Sequence, residues 1–390
     1  MWKKNLFNSF KSQSVDLLVI AGEASGDEHA NNLVQRILER FPELDIAVIG
    51  GKNLKNSGAH FLFDLVDHAV VGVFEVLKNY GFFKSLFAET LEWIRTHSPR
   101  NILLIDYPGF NLRLAEALRK ENLSQKGGGG IRVLQYISPQ LWAWKPKRRF
   151  KMAKVLDSLA VIFPFEVECY QDVDLPVSFV GHPFVTSEYK SPVHYDKQGS
   201  LLLLPGSRLQ PIQRILPVFL DATEKLAQSY PHLKIEVPVP GTQIRRCVEQ
   251  IISAKPTLQD RIVIKEGLHD LKACVALMSS GTMSFAFALA GIPGVIAYKA
   301  HPITYLIGKL LVKVPYLGMA NLLLSKEPPY KEFIQSEANR LSLSSSIEKL
   351  LGNEESGEEF RNASLKLRSL LEGAQELDAV DWLADELAKA

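Results

Sequence analysis

An aspartate after one apolar run, an arginine after another, and two glycine–serine turns are the residues here whose types and spacing suit chemistry. Asp106 follows Asn101-Ile-Leu-Leu-Ile105 and precedes Tyr107-Pro-Gly-Phe110. An acid at a strand's carboxyl end can take a proton from a hydroxyl; the same residue can equally cap the next helix or fix the turn. Arg208, in Pro205-Gly206-Ser207-Arg208, comes just after four leucines. Its guanidinium suits a pyrophosphate, whose oxygens it can bind bidentately, or it forms an ion pair between domains. Ser279-Ser280-Gly281-Thr282 opens an apolar helical segment, where unpaired amides offer a second phosphate contact or simply end a buried helix. Gly22-Glu23-Ala-Ser25-Gly26 follows the first apolar run. Its amides suit an anion, although tight turns also use glycine for steric reasons alone.

Two longer segments complete the chemical inventory. Residues 138–155 hold six cations and no acid, with Trp142, Trp144 and Phe150 among them. Aromatics among cations fit single-stranded nucleic acid, an anionic lipid-like substrate at a membrane, or a solvated helix. The segment Val70–Phe87 is heavily apolar and reads as core or as a lipid-contacting patch. The nine histidines lack metal-ligand spacing, so no metal and no cofactor is expected, and His182 reads as structural. There is no G-x-S-x-G elbow and no Walker A loop.

Positioning such groups calls for strands that end in turns. Val15–Ile20 is a near-continuous apolar run, followed by a glycine turn and apolar residues at helical spacing. Ser25 and Glu28 stand three apart, the signature of a capping box. Further strands are expected at 45–50, 101–105, 131–137, 158–163 and 177–180, and the pattern restarts with 201–204, 234–239, 261–265, 273–278 and 294–298. Alternating strands and helices predict parallel sheets wrapped in helices, here in two Rossmann-like α/β domains. The polar stretch 181–200 reads as the connection between a domain at 1–185 and another at 186–390, with the last helices free to pack back on the first. Gly127–Gly130 reads as a flexible loop, and the chain after Ser336 as helical.

Composition narrows the setting. The 390 residues are 46% apolar and 23% charged, which excludes a disordered chain. With 45 Lys and Arg against 43 Asp and Glu the net charge is +2, so no nucleic-acid coat is expected. Three dispersed cysteines fit a reducing cytosol. The first ten residues lack a signal-peptide core. The 26 uncharged residues between Lys272 and Lys299 are long enough to span a bilayer. Ser279–Thr282 and Gly291-Ile-Pro-Gly294 interrupt them, so strand, turn, helix, turn and strand is the better reading.

Several segments together resemble the lipid-A-disaccharide synthases: Ala21-Gly-Glu-Ala-Ser-Gly-Asp27, Ser138-Pro-Gln-Leu-Trp-Ala-Trp144 with Lys147-Arg148, Phe163-Pro-Phe-Glu166, Val180-Gly-His182, Leu204–Arg208, Ser280-Gly-Thr282, Tyr298-Lys299, Pro302 and Ala320-Asn-Leu-Leu323. The ordered set runs from about Val15 to about Gln335 and is highly specific. The resemblance implies the GT-B architecture, two such domains facing a cleft, and a metal-independent inverting transfer between an acylated UDP-glucosamine and an acylated glucosamine phosphate. It implies Asp106 as base or hydroxyl orienter, with Gly206, Ser207, Arg208, Gly267, Leu268, Ser280, Gly281, Thr282 and Asn321 toward the donor. Glu23, Ser25, Gly26, Lys147, Arg148 and Arg149 fall toward the acceptor. It further implies peripheral contact with the cytoplasmic face of the inner membrane. Alternatives are another GT-B UDP-sugar transferase or epimerase, or a non-catalytic nucleotide- or lipid-binding homologue. Two positions depart from the family pattern: Ala286 stands where relatives carry a ribose-binding glutamate, and Gly109 where some carry an acid.

Overall fold

Every residue of Leu17–Ala21 (β1), Ile46–Gly50 (β2) and Asn101–Ile105 (β4) is buried, because helices cover both faces of their sheet and leave the apolar runs no polar side. The computed structural model describes residues 6–10, 15–69, 80–187, 189–302, 305–306, 314–372 and 377–389. With His60–Asp64 (β3), Arg132–Tyr136 (β5), Ser158–Val161 (β6) and Val177–Phe179 (β7), the first sheet has the order β3-β2-β1-β4-β5-β6-β7. All of its pairings are parallel. The second contains Val193–Leu204 (β8), Ile235–Val239 (β9), Ile262–Glu266 (β10), Leu271–Met278 (β11), Gly294–Tyr298 (β12) and Lys331–Ile334 (β13), in the order β10-β9-β8-β11-β12-β13 and again parallel. In both sheets strand order reverses beside the first strand, which opens a crevice at the strands' carboxyl ends.

The chain forms two compact units, Met1–Pro183 with Gly373–Ala390, and Phe184–Glu372. Side chains fix the C-terminal helix Ala379–Leu387 within the first. Asp378 caps it by accepting from Val380 and Asp381 amides, and pairs with Arg36 at 2.6 Å. Trp382, 2% exposed, donates its indole N–H to the Ser158 hydroxyl, and Glu386 meets Arg132. Removing a buried tryptophan of this kind costs about 3–5 kcal/mol.

The uncharged stretch after Lys272 is strand, turn, helix (Thr282–Leu289), turn and strand, and no helix among the described residues is long and apolar enough to cross a membrane. Four local expectations need correction. The first helix spans Ala24–Arg40, with Glu23 at the N-cap and no side-chain cap, so Ser25 lies inside it and forms no capping box. Strand β8 begins at Val193, inside the segment read as a linker, because its exposed first half pairs with Leu271 and Lys272. The edge strands β3 and β13, absent from the expected set, are half-exposed and partly charged, so neither forms a continuous apolar run. Gly127–Gly130 is a hydrogen-bonded turn packed on backbone: a Cβ at Gly129 would lie 2.2 Å from the Leu123 carbonyl oxygen.

Of the apolar segment 70–87, residues 70–79 lie outside the described residues. Phe82 and Leu86 belong to the first unit's core, with Phe83 and Phe87 packed against it.

Candidate active site

In the first unit, β4 delivers Asp106 to the sheet's carboxyl edge. The backbone there is strained: Asp106 and Tyr107 have φ of 45° and 44°, and Ile137, just after neighbouring β5, has 68°. Left-handed conformations cost most non-glycine residues about 1–2 kcal/mol each, aspartate less, and such strain collects where function requires a particular side-chain direction. Glycines of the first turn make room for this one. A Cβ on Gly22 would lie 2.2 Å from the Tyr107 ring, and one on Gly26 would touch the Asp106 Cβ at 3.8 Å. Glu23 is half-buried beside Tyr107, whose phenol is raised by burial and then by the Glu23 charge. Ser25 is half-buried at the same turn. A side chain at Gly109 would meet nothing within 4 Å.

Asp27, in the same motif, has a structural duty. Its buried carboxylate accepts from the amides of Gly51 (2.6 Å), Asn53 (2.9 Å) and Leu54 (3.2 Å), tying the first helix to the turn after β2. His29 and His182 are buried too. Burial brings His29 down to about 4, and burial with the neighbouring His29 holds His182 well below its ordinary value, so both are neutral at pH 7.

The cationic segment is seated by residues 163–172. Glu166 accepts from the Phe163 amide at 3.2 Å and the Trp142 indole at 3.4 Å; Tyr170 meets the Ser138 hydroxyl at 2.6 Å. Arg149 makes a bidentate pair with Asp172, both contacts 2.6 Å, and Lys151 pairs with Glu116. Arg149, expected at the acceptor phosphate, is therefore already committed. Among the described residues, Lys145, Lys147, Arg148 and Lys154 make no ion pair. Arg148 is half-buried, and burial lowers its pKa. Lys145 and Arg148 stack on Trp144 at 4.2 and 5.6 Å, and both Trp144 and Phe150 are exposed. The cluster is thus a surface of three exposed cations, the half-buried Arg148 and two exposed aromatic side chains.

In the second unit, the turns after β8 and β11 are neighbours, joined by the Ser279 amide donating to the Leu204 carbonyl at 2.8 Å. Gly206 (φ 111°) and Gly281 (φ 157°) adopt backbone conformations that favour glycine, and a Cβ on either would face open space. Ser207 and Arg208 are exposed beside Gly206, Arg208 at the start of the helix Leu209–Ser229. Gly281 and Thr282 are exposed at the start of the Thr282–Leu289 helix. Two backbone turns and a guanidinium on one strand edge can hold a diphosphate through amides and charge. Gly267 (φ 86°) lies under the His269 ring, with Leu268 half-buried between them. Among the described residues, no three His, Cys, Asp or Glu side chains converge in a way that could hold a metal ion.

One donor-side expectation meets a different geometry. Asn321 is fully buried, and its amide is spent on the Tyr330 backbone (2.8 and 2.9 Å) and on Glu332 (2.7 Å). It builds the site rather than facing it. Glu332, which no local motif marked, also accepts from the amides of Leu317 and Gly318, while Ser280 Oγ donates to the Leu317 carbonyl at 2.8 Å. Ala286 is 1% exposed within a helix whose residues from Ser284 to Leu289 are all buried, so that position presents no ribose contact.

Residues 17–384 match the family model for lipid-A-disaccharide synthetase. The chain belongs to the lipid-A-disaccharide synthetase family. It is 34% identical over 369 residues to lipid-A-disaccharide synthase 1 of Legionella pneumophila (strain Lens), covering 92% of this chain and 94% of the relative. It is 36% identical over 372 residues to the lipid-A-disaccharide synthase of Trichlorobacter lovleyi, covering 92% and 93%. Among solved structures it is similar to a UDP-GlcNAc 2-epimerase from Neisseria meningitidis bound to UDP-GlcNAc, with TM-score 0.61, 11% identity and coverage of 96% and 99%. It is also similar to a spinosyn rhamnosyltransferase complexed with thymidine diphosphate, with TM-score 0.56, 12% identity and coverage of 96% and 100%. These likenesses establish the GT-B fold for a synthetase-family chain; at such identities they speak for the fold alone.

Proposed function

We propose that this protein is an inverting glycosyltransferase of lipid A biosynthesis. It joins UDP-2,3-diacylglucosamine to 2,3-diacylglucosamine 1-phosphate, giving the β-1,6-linked disaccharide 1-phosphate and UDP. The observation that carries the reading is Asp106 in a strained turn at a strand's carboxyl end, within a chain of this family. Asp106 takes the proton of the acceptor 6-hydroxyl as that oxygen attacks the anomeric carbon. The bond from that carbon to the diphosphate breaks and its electron pair leaves on UDP. Arg208 and the amides at Gly206 and Gly281–Thr282 offset the charge that develops there. Lys147 and Arg148 are the cations open to the acceptor phosphate. Trp144, Phe150, Lys145 and Lys154 give the first unit a face suited to anionic headgroups, so it works at the cytoplasmic surface of the inner membrane while its substrates keep their acyl chains in lipid.

The alternative reading keeps the fold and changes the substrate to a UDP-sugar without fatty acyl chains. Comparing turnover of UDP-diacylglucosamine with that of UDP-N-acetylglucosamine separates the two. Preference for the acylated donor supports the first reading, and preference for the plain sugar overturns it.

A further inference from the structure

Asp106 and Tyr107 are consecutive left-handed residues; aspartate enters this region more readily than most side chains, but as a single residue, and the bulky Tyr107 does not. Something must hold them there. The helix that follows, Pro108–Lys120, begins its own ladder only at the Tyr107 carbonyl, which accepts from the amides of Phe110 and Asn111. The carbonyls of Ile105 and Asp106 lie before that ladder. Both accept from one side chain: Asn111 Nδ2 donates to the Asp106 oxygen at 2.8 Å and to the Ile105 oxygen at 3.2 Å. Asn111 is fully buried, and among the described residues its Oδ1 has no hydrogen-bond partner. The side chain thus spends its donors on the aspartate's own backbone.

We infer that Asn111 is a positioning residue for the reaction, pinning the peptides on both sides of Asp106 so that the strained turn aims the Asp106 carboxylate at the acceptor. This rests on Asp106 being the base. A residue that acts only through Asp106 must lose its effect when Asp106 is absent, because groups that work as one unit are not additive.

The test is a double-mutant cycle on the full-length protein with acylated donor and acceptor. In the wild-type background, Asn111→Ala lowers kcat about 10- to 100-fold, the scale expected for misplacing a reacting group by an ångström, and leaves the donor KM within about twofold. In the Asp106→Ala background the same substitution changes the residual single-turnover rate by less than about twofold. An equal loss in both backgrounds, or an unchanged kcat, overturns the assignment. If Asn111→Ala does not fold, Asn111→Leu, similar in size and also without a donor, carries the cycle and is judged by the same two outcomes. Full activity of Asp106→Ala would remove the base, and with it this role. An additive cycle would instead leave Asp106 as base and overturn only the role of Asn111.

Discussion

The Glu332 carboxylate accepts the Asn321 side-chain amide at 2.7 Å, and the same carboxylate holds the Leu317 and Gly318 amides at 2.7 and 3.0 Å. Because Ser280 donates to the Leu317 carbonyl, this cluster braces the turn before the Thr282–Leu289 helix. Replacing Asn321 by alanine leaves a half-buried carboxylate and a buried backbone pair short of partners, at a cost of about 1–3 kcal/mol. A lower melting temperature is expected, with UDP affinity falling in consequence. Calorimetry with UDP and a thermal melt on one preparation decide this. Weaker UDP binding at unchanged stability would mean that Asn321 touches the nucleotide after all.

A methyl group at Gly22 would enter the Tyr107 ring. Gly22→Ala must therefore push Tyr107, and Asp106 with it, out of place, costing about 1–3 kcal/mol of stability as overpacking does. Activity should fall further than stability alone explains. Adding Tyr107→Ala should recover the melting temperature, but the rate should stay low. Recovery of both would show that the turn's strain has no bearing on the base.

Glu166 supplies the pH prediction. Burial pushes its carboxyl up to about 8, against the pull of the Phe163 amide and the Trp142 indole. Between its ordinary value of 4.5 and about 8 the folded protein holds a proton that the unfolded chain has released. The stability this group contributes is therefore full below the lower value and is lost as pH rises through the upper one. Glu166→Gln has no proton to lose. Its melting temperature relative to wild type should rise by a few degrees between pH 5 and pH 9. A difference that stays constant with pH would contradict the shift.

The two neighbouring arginines should behave differently. Arg149 is held by Asp172 and Arg148 by no acid among the described residues. Arg148→Ala and Lys147→Ala should each raise the acceptor KM about tenfold, the worth of one charge-assisted contact to a phosphate, while Arg149→Ala changes it less than about twofold. Initial rates against acceptor concentration test this, and the reverse ranking would place Arg149 at the phosphate.

Elements that bury both faces, such as β1, β4 and the end of β8, were plain from their apolar runs, and the groups at their carboxyl ends followed from sheet geometry. The edge strands β3 and β13 were not, because one open side lets polar residues in. Asn321 looked like a ligand contact because a motif shows which residue stands where, not what it meets across space. Its partner Glu332 and the pairing of Arg149 with Asp172 come from tertiary contacts that no local pattern encodes. Asn111 stood in plain view five residues after Asp106. Only the left-handed turn between them gives it a role.

The central claim is that the protein transfers an acylated sugar from UDP to an acylated acceptor with Asp106 as the base. Mass spectrometry of products from purified protein, UDP-2,3-diacylglucosamine and 2,3-diacylglucosamine 1-phosphate tests it most directly. The account predicts a tetraacyl disaccharide 1-phosphate and UDP from the wild type, and a yield about 10²- to 10⁴-fold lower from folded Asp106→Ala. Undiminished product from that variant, or no disaccharide from the wild type, would contradict it.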